Sequence, residues 1–175
     1  MEISTERLAL REYAQADQDA VHAFASDPRV CGFVEWGPNT PEDTRAFLRA
    51  CLDEQTADPR QTFSMAIGVD GRVLGSIALM LGASDVAPVE SSAEIGYVLA
   101  ADAWGNGYAT EAAAAMLDFA RHTLGMRRVV ATCRPENAGS IRVLEKAGLR
   151  RTGFLPGHKI IGGVAHDSLV FAIDL

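Results

Sequence analysis

The sequence predicts an α+β fold, a three-layer arrangement in which a mixed, mostly antiparallel sheet carries about four helices. Three observations lead there. Three strand-like runs follow one another, "TFSMAIG", "RVLGSIALML" and "SAEIGYVL", and the Asp-Gly turn of "VDGR" joins the first two as a hairpin. Helical patterns stand on both sides of this meander. A length of 175 residues suits one core, so residues 1–175 are expected to form a single domain.

"RLALREY" alternates Leu8 and Leu10 with polar neighbours and reads as a first strand. "DQDAVHAFASDP" then places Ala20, Val21, Phe24 and Ala25 at helical spacing until Pro28. In "NTPEDTRAFLRACLDE", Thr40 is the expected N-cap and Pro41 the first helical residue, with Ala46, Phe47, Ala50 and Cys51 on one face. The meander follows, and its "LGASDVAPVESS" reads as a surface hairpin loop. Ala109 to Leu124 is a helix stopped by Gly125, "RRVVATC" a strand, and "NAGSIRVLEKAG" a short helix closed by Gly148. Two final strands flank a Gly-rich "PGHKIIGG". The expected order is β-α-α-β-β-β-α-β-α-β-β.

Composition narrows the partners. A net charge of −7 repels a nucleic-acid backbone or an anionic membrane and mildly favours a cationic small substrate. Cys31, Cys51 and Cys133 lack CxxC spacing, which suggests neither a disulfide framework nor a thiolate zinc site. His22, His122, His158 and His166 share no metal spacing, so no metal is expected. The start "MEISTERLALREY" has no basic region followed by an apolar core, and no apolar run reaches membrane-spanning length. A cytoplasmic location is expected.

The stretch "WGNGYATEA" places two glycines ahead of an alanine-rich helix. A strand end, a glycine loop and a helix N-terminus gather unpaired N–H groups around one point, a seat for phosphate or pyrophosphate. Neither the Walker loop nor the dinucleotide fingerprint fits, since no GK[ST] follows and Thr110 stands where the third glycine would.

The run "AEIGYVLAADAWGNGYATEAAAAMLDFA" resembles the acetyl-CoA-binding segment of the GCN5-related N-acetyltransferases, the GNAT superfamily. Trp104 replaces the Gln or Arg usual at the head of that loop. A "WGxGYATEA" form is common in the subgroup of ribosomal-protein N-terminal acetyltransferases, the RimJ/RimL-like proteins, which the chain resembles most. "TERLALREY", "PNTPEDTRAFL" and "RPENAGSIRVLEKAGL" extend the resemblance over nearly the whole chain. It implies a sheet splayed between its fourth and fifth strands, acetyl-CoA as co-substrate in the opening, and transfer to an amine acceptor. A protein N-terminal α-amine is favoured over a small-molecule amine, and a non-catalytic CoA-binding module is a third reading.

Acetyl transfer from a thioester needs a neutral amine, a donor for the oxyanion and a proton for the thiolate. The resemblance assigns the pyrophosphate to the loop Trp104, Gly105, Asn106, Gly107, Tyr108, Ala109 and Thr110, and the pantetheine arm to the strand edge at Val98 and Leu99. An N–H of Val98 or Leu99 is then the oxyanion donor. Asn137 would hold the arm and Ser140 would protonate the sulfur, although Asn137 and Glu136 are equally cap residues for their helix. Glu94 lies in the fourth strand on the face of Gly96 and Val98, a candidate base working through water or a buried hydrogen-bond acceptor. Glu35 beside Trp36, in the loop before the second helix, and Asp167 at the start of the last strand are candidates for the acceptor site of a cationic amine, or Glu35 and Asp167 are simply surface acids. Arg127, Arg128, Arg150 and Arg151 are candidates for the adenosine 3′-phosphate or simply solvated charges, and Cys133 is a core thiol or a nucleophile. A lysine amine is neutral about once in 2,500 at pH 7, an α-amine roughly once in seven, so an α-amine tolerates the weaker base. A monomer and a homodimer are both compatible with the exposed meander and last hairpin.

Overall fold

In the computed structural model, which describes residues 1–82, 86 and 91–175, eight strands form one sheet. The first third of the chain supplies β1 (Glu2–Ser4), β2 (Ala9–Glu12), a 3₁₀ turn (Gln15–Asp17), α1 (Gln18–Ala25), α2 (Pro28–Cys31) and α3 (Pro41–Gln55). The meander is β3 (Thr62–Val69), β4 (Arg72–Leu81) and β5 (Ser92–Leu99). After a second 3₁₀ turn (Ala101–Ala103) come α4 (Tyr108–His122), β6 (Arg128–Cys133), α5 (Ala138–Lys146), β7 (Arg150–Ile161) and β8 (Val164–Asp174). The strand order across the sheet is β1-β2-β3-β4-β5-β6-β8-β7.

Every pairing is antiparallel except β5 with β6. Those two parallel strands meet only at Ser92 with Arg128, Ala93 with Val129 and Glu94 with Val130, and then part. Residues 95–99 therefore keep a sheet edge open on the β6 side. This is the expected splay; β1, absent from the sequence reading, raises the strand count by one.

Period-two alternation divides the core between the two faces of the sheet. Ala93, Ile95 and Leu99 of β5 join Met65, Ile77 and the small residues of α4 in one apolar cluster. Ala66, Val73 and the partly buried Val98 join Val21, Phe24 and Leu48 of α1 and α3 in the other. Helix α4 buries Ala109, Ala112, Ala113, Met116, Leu117 and Ala120, a stripe at helical spacing whose alanines bring the helix axis close to the sheet.

Several expectations are corrected. Helix α3 starts at Pro41 under a reciprocal Thr40–Asp43 cap as predicted, but its buried stripe is Thr44, Leu48 and Cys51, with Phe47 partly buried, while Ala46 and Ala50 are exposed. Thr44 tolerates burial because its hydroxyl meets the Thr40 carbonyl at 3.3 Å and His22 Nδ1 at 2.9 Å. The Gly-rich "PGHKIIGG" is mostly strand: β7 runs through a register shift between Leu155 and Lys159 and turns only at Gly162 and Gly163. Asp167 is accordingly four residues into β8 and not at its start. The short β1 and α2 went unpredicted. Most of the expected hairpin loop after β4 lies outside the described residues.

Candidate functional site

A cavity of about 980 Å³ opens where β5 and β6 part, and it is lined from both faces of the sheet. Glu94, Gly96 and Val98 of β5, Thr132 and Cys133 of β6, and Asn137 and Ser140 at the start of α5 contribute to its walls. Glu35 and Trp36, before α3, and Lys159 and Asp167 of the β7–β8 hairpin line it too. The structure thus brings together the two predicted reaction residues and all three predicted acceptor-site residues. Its size is that of an ordinary small-ligand pocket.

The ladder decides which backbone donors face the opening. Ala100 N–H donates to the Leu74 carbonyl at 2.8 Å, and residues of an antiparallel pair alternate in direction. Val98 N–H is therefore spent on Ser76 of β4, whereas the N–H groups of Tyr97 and Leu99 point toward the splay. Of the two expected oxyanion donors, the geometry leaves Leu99.

Ser140 is held by three contacts. Its N–H donates to Asn137 Oδ1 at 3.0 Å, so the Asn137 oxygen caps α5. Its hydroxyl lies 2.9 Å from the Tyr97 hydroxyl, which also reaches the Ser140 carbonyl at 3.2 Å. Burial raises the Tyr97 phenol well above its ordinary value, against the pull of Ser140, so it stays protonated at neutral pH. Cys133 is the third neighbour. Burial pushes its thiol up to about 11, with the Ser140 hydroxyl pulling the other way. A thiol so raised is a poor nucleophile.

Across the opening, the Thr132 hydroxyl donates to Glu94 Oε1 at 3.4 Å. At the mouth, Lys159 Nζ lies 3.5 Å from Glu35 Oε1, and Asp167 Oδ1 accepts the Gly157 N–H at 2.8 Å within the β7 irregularity. Arg134 and His166 meet at 3.5 Å on the same wall.

Trp104 to Thr110 do not line this cavity but continue from its edge. The Trp104 indole N–H donates to the Leu99 carbonyl at 2.9 Å, which ties the loop to the end of β5. Gly105 and Gly107 both have φ of +80°, a conformation that L side chains resist. No side chain caps α4, in contrast to α3 and α5, so the N–H groups of Tyr108, Ala109 and Thr110 keep their donor capacity. With the helix dipole behind them they fit a phosphate. Arg127 and Arg128 are far from it: Arg128 pairs opposite Ser92, roughly 20 Å of strand from Leu99.

Sequence reasoning missed Tyr97, Arg134, Lys159 and His166. Alternation in "EIGYVL" does put Tyr97 on the face opposite Glu94, but nothing local shows that this face meets α5. Lys159 was hidden in a segment read as loop.

A family model described as "Acetyltransferase (GNAT) domain" matches residues 7–150. "Uncharacterized N-acetyltransferase YnaD" of Bacillus subtilis is 34% identical over 154 residues, 88% of this chain and 85% of that protein. A solved GNAT-family acetyltransferase from Bacillus anthracis superposes with a TM-score of 0.86 at 31% identity, over 99% of this chain and 98% of that one. Mycobacterium smegmatis RimJ, solved in complex with CoA-disulfide, has a TM-score of 0.81 at 25% identity over 95% and 81% of the two chains.

Proposed function

Since this chain belongs to the GNAT acetyltransferases and is an acetyl-CoA-dependent N-acetyltransferase, we propose that it acetylates the α-amine of a protein N-terminus by direct transfer in a ternary complex. One observation carries the reading: a carboxylate from one face of the sheet and a hydroxyl from the other, Glu94 and Ser140, line one cavity beside outward-facing backbone donors of β5. The likeness to RimJ supports the choice of acceptor.

Acetyl-CoA supplies an activated acyl group as a thioester. The chain's own groups divide the remaining work. Tyr108 to Thr110 offer N–H donors to the pyrophosphate, and Asn137 with the edge of β5 offers the pantetheine arm a place to lie. Leu99 N–H meets the charge that develops on the acyl oxygen. Glu94 takes a proton from the incoming amine, directly or through water, and Ser140, polarised by Tyr97, gives one to the departing sulfur. Glu35, Trp36 and Asp167 receive the acceptor. Cys133 takes no covalent part, because its thiol is protonated at working pH.

The Lys159–Glu35 pair at the mouth favours a second reading, a small-molecule amine, because it narrows the approach. Mass spectrometry after incubation with acetyl-CoA and separate peptide and small-amine pools tests the choice. N-terminally acetylated peptides are the expected product; acetylation confined to small amines would overturn the N-terminal reading. We further propose that residues 1–175 act as one domain, since the sheet runs from Glu2 to Asp174. The acidic charge and the three free thiols support a cytoplasmic monomer or homodimer with no nucleic-acid or membrane partner.

A further inference from the structure

We propose that Arg7, in the turn between β1 and β2, is a positioning residue for the phosphate-binding loop, fixing its backbone and cancelling the charge of Glu111 one turn into α4. The inference rests on the reading of residues 104–110 as the pyrophosphate seat.

Glu111 stands in the first turn of α4, where a carboxylate suits the helix dipole. A ligand phosphate seeks the same end of the same helix, so an uncompensated Glu111 would repel it. Arg7 removes that conflict. Its Nε donates to Glu111 Oε2 at 2.7 Å, its NH2 group lies 2.6 Å from the same oxygen, and its backbone N–H donates to Oε1 at 2.9 Å. The Thr5 hydroxyl donates to Oε1 as well, at 2.5 Å. Burial pushes the Glu111 carboxyl up, but these donors outweigh it and hold it below its ordinary value, so the charge is present and matched.

The same guanidinium grips the loop. Arg7 donates through NH1 to the Asn106 carbonyl at 2.9 Å and lies 5.0 Å from the centre of the Tyr108 ring. Asn106 stands between Gly105 and Gly107, whose backbones are intrinsically permissive. The Asn106 amide bonds within the loop and the turn before it, and among the described residues Arg7 is the group that fixes this carbonyl against the body of the protein. Residues about a hundred positions apart in sequence are thereby joined at the one segment where α4 lacks a side-chain cap.

The test is CoA affinity, read by calorimetry and by quenching of Trp104 emission in a Trp36→Phe background, with hydrogen exchange of residues 105–110 in the protein without CoA. Arg7→Ala is expected to weaken CoA binding about fivefold to tenfold and to speed exchange in the loop, with the acceptor KM and the kcat at saturating acetyl-CoA unchanged. Arg7→Lys, which keeps the charge but loses the fork, should show a smaller loss and guards against misfolding of the alanine variant. Adding Glu111→Gln to Arg7→Ala should recover part of the affinity. Unchanged CoA affinity in Arg7→Ala overturns the proposal, and a double variant no better than the single one overturns its charge-cancelling half. If CoA binds the unmodified protein but Gly107→Val binds it equally well, the seat itself is misplaced and the inference fails with it.

Discussion

Ser140 keeps its place through its backbone as much as through its hydroxyl, and this makes it a clean residue to test. In Ser140→Ala the Asn137 cap bonds to an N–H that remains, and the half-buried Tyr97 hydroxyl still has the Ser140 carbonyl at 3.2 Å. No buried polar group is orphaned, so the variant should fold and bind CoA within about twofold of the parent. Its kcat should fall about a hundredfold, at the low end for loss of a general acid because a thiolate leaves readily. An unchanged kcat removes the proton-donating role. Cys133→Ala is the counterpart: with the thiol raised to about 11, roughly one molecule in a thousand carries a thiolate at pH 8, and turnover should stay within a few-fold. Steady-state rates of both variants separate direct transfer from a covalent relay. Strand alternation puts Glu94 on one face with Gly96 and Val98, and helix spacing puts Ser140 beside Asn137, while the role proposed for Ser140 comes from the family resemblance. Tyr97 and Arg7 could not be found this way, because what matters about them is a partner 43 or 104 residues away, which no local period encodes.

At the scale of elements, legibility followed the strength of local chemistry. Helix α3 is predicted to its first residue because Thr40, Pro41 and Asp43 satisfy or dispense with its free N–H groups, and β5 because Ala93, Ile95, Tyr97 and Leu99 recur at every second position. The three residues of β1 and four of α2 are too few for a period, and Pro156, Gly157 and the Gly162–Gly163 pair disguised β7 as loop. One junction between elements rests on a charge. Asp17 is only 7% exposed and accepts from both terminal nitrogens of the Arg11 guanidinium, at 2.8 and 2.7 Å, and from the Ala14 N–H, pinning the first 3₁₀ turn to β2. Asp17→Asn should cost about 2 kcal/mol, or about 4–8 °C in Tm. Arg11 holds the Asp17 carboxyl below its ordinary 3.8 against the opposing effect of burial, so the folded form binds the proton less well than the unfolded. Its contribution is complete above pH 4 and is lost as pH falls through the lower folded value. Thermal melts should therefore show the gap between parent and Asp17→Asn narrowing from pH 7 toward pH 3; a gap independent of pH would show that the charge is not its source.

Over the whole molecule, residues of both apolar clusters, which lie on opposite faces of one sheet, line the cavity where β5 and β6 part, so groups arriving from the two sides can touch there without a moving domain. The net charge of −7 acts on those arrivals unequally. An acceptor carrying positive charge would be drawn in from solution, whereas the polyanionic co-substrate would be captured against the mean field, which the backbone donors and helix dipole of its proposed seat offset. Screening should weaken the first effect. Between about 0.05 and 0.3 M salt the Debye length falls from about 14 Å to below about 6 Å, which screens an approaching acceptor from charges away from the mouth. For two peptides that share an N-terminal residue but differ by several lysines further along, kcat/KM of the lysine-rich one should fall about twofold to fivefold over this range, while that of the neutral one stays level. Initial rates at saturating acetyl-CoA measure both. Equal salt dependence for the two peptides would show that the protein's field does not guide the acceptor, and that selection rests on contacts within the mouth alone.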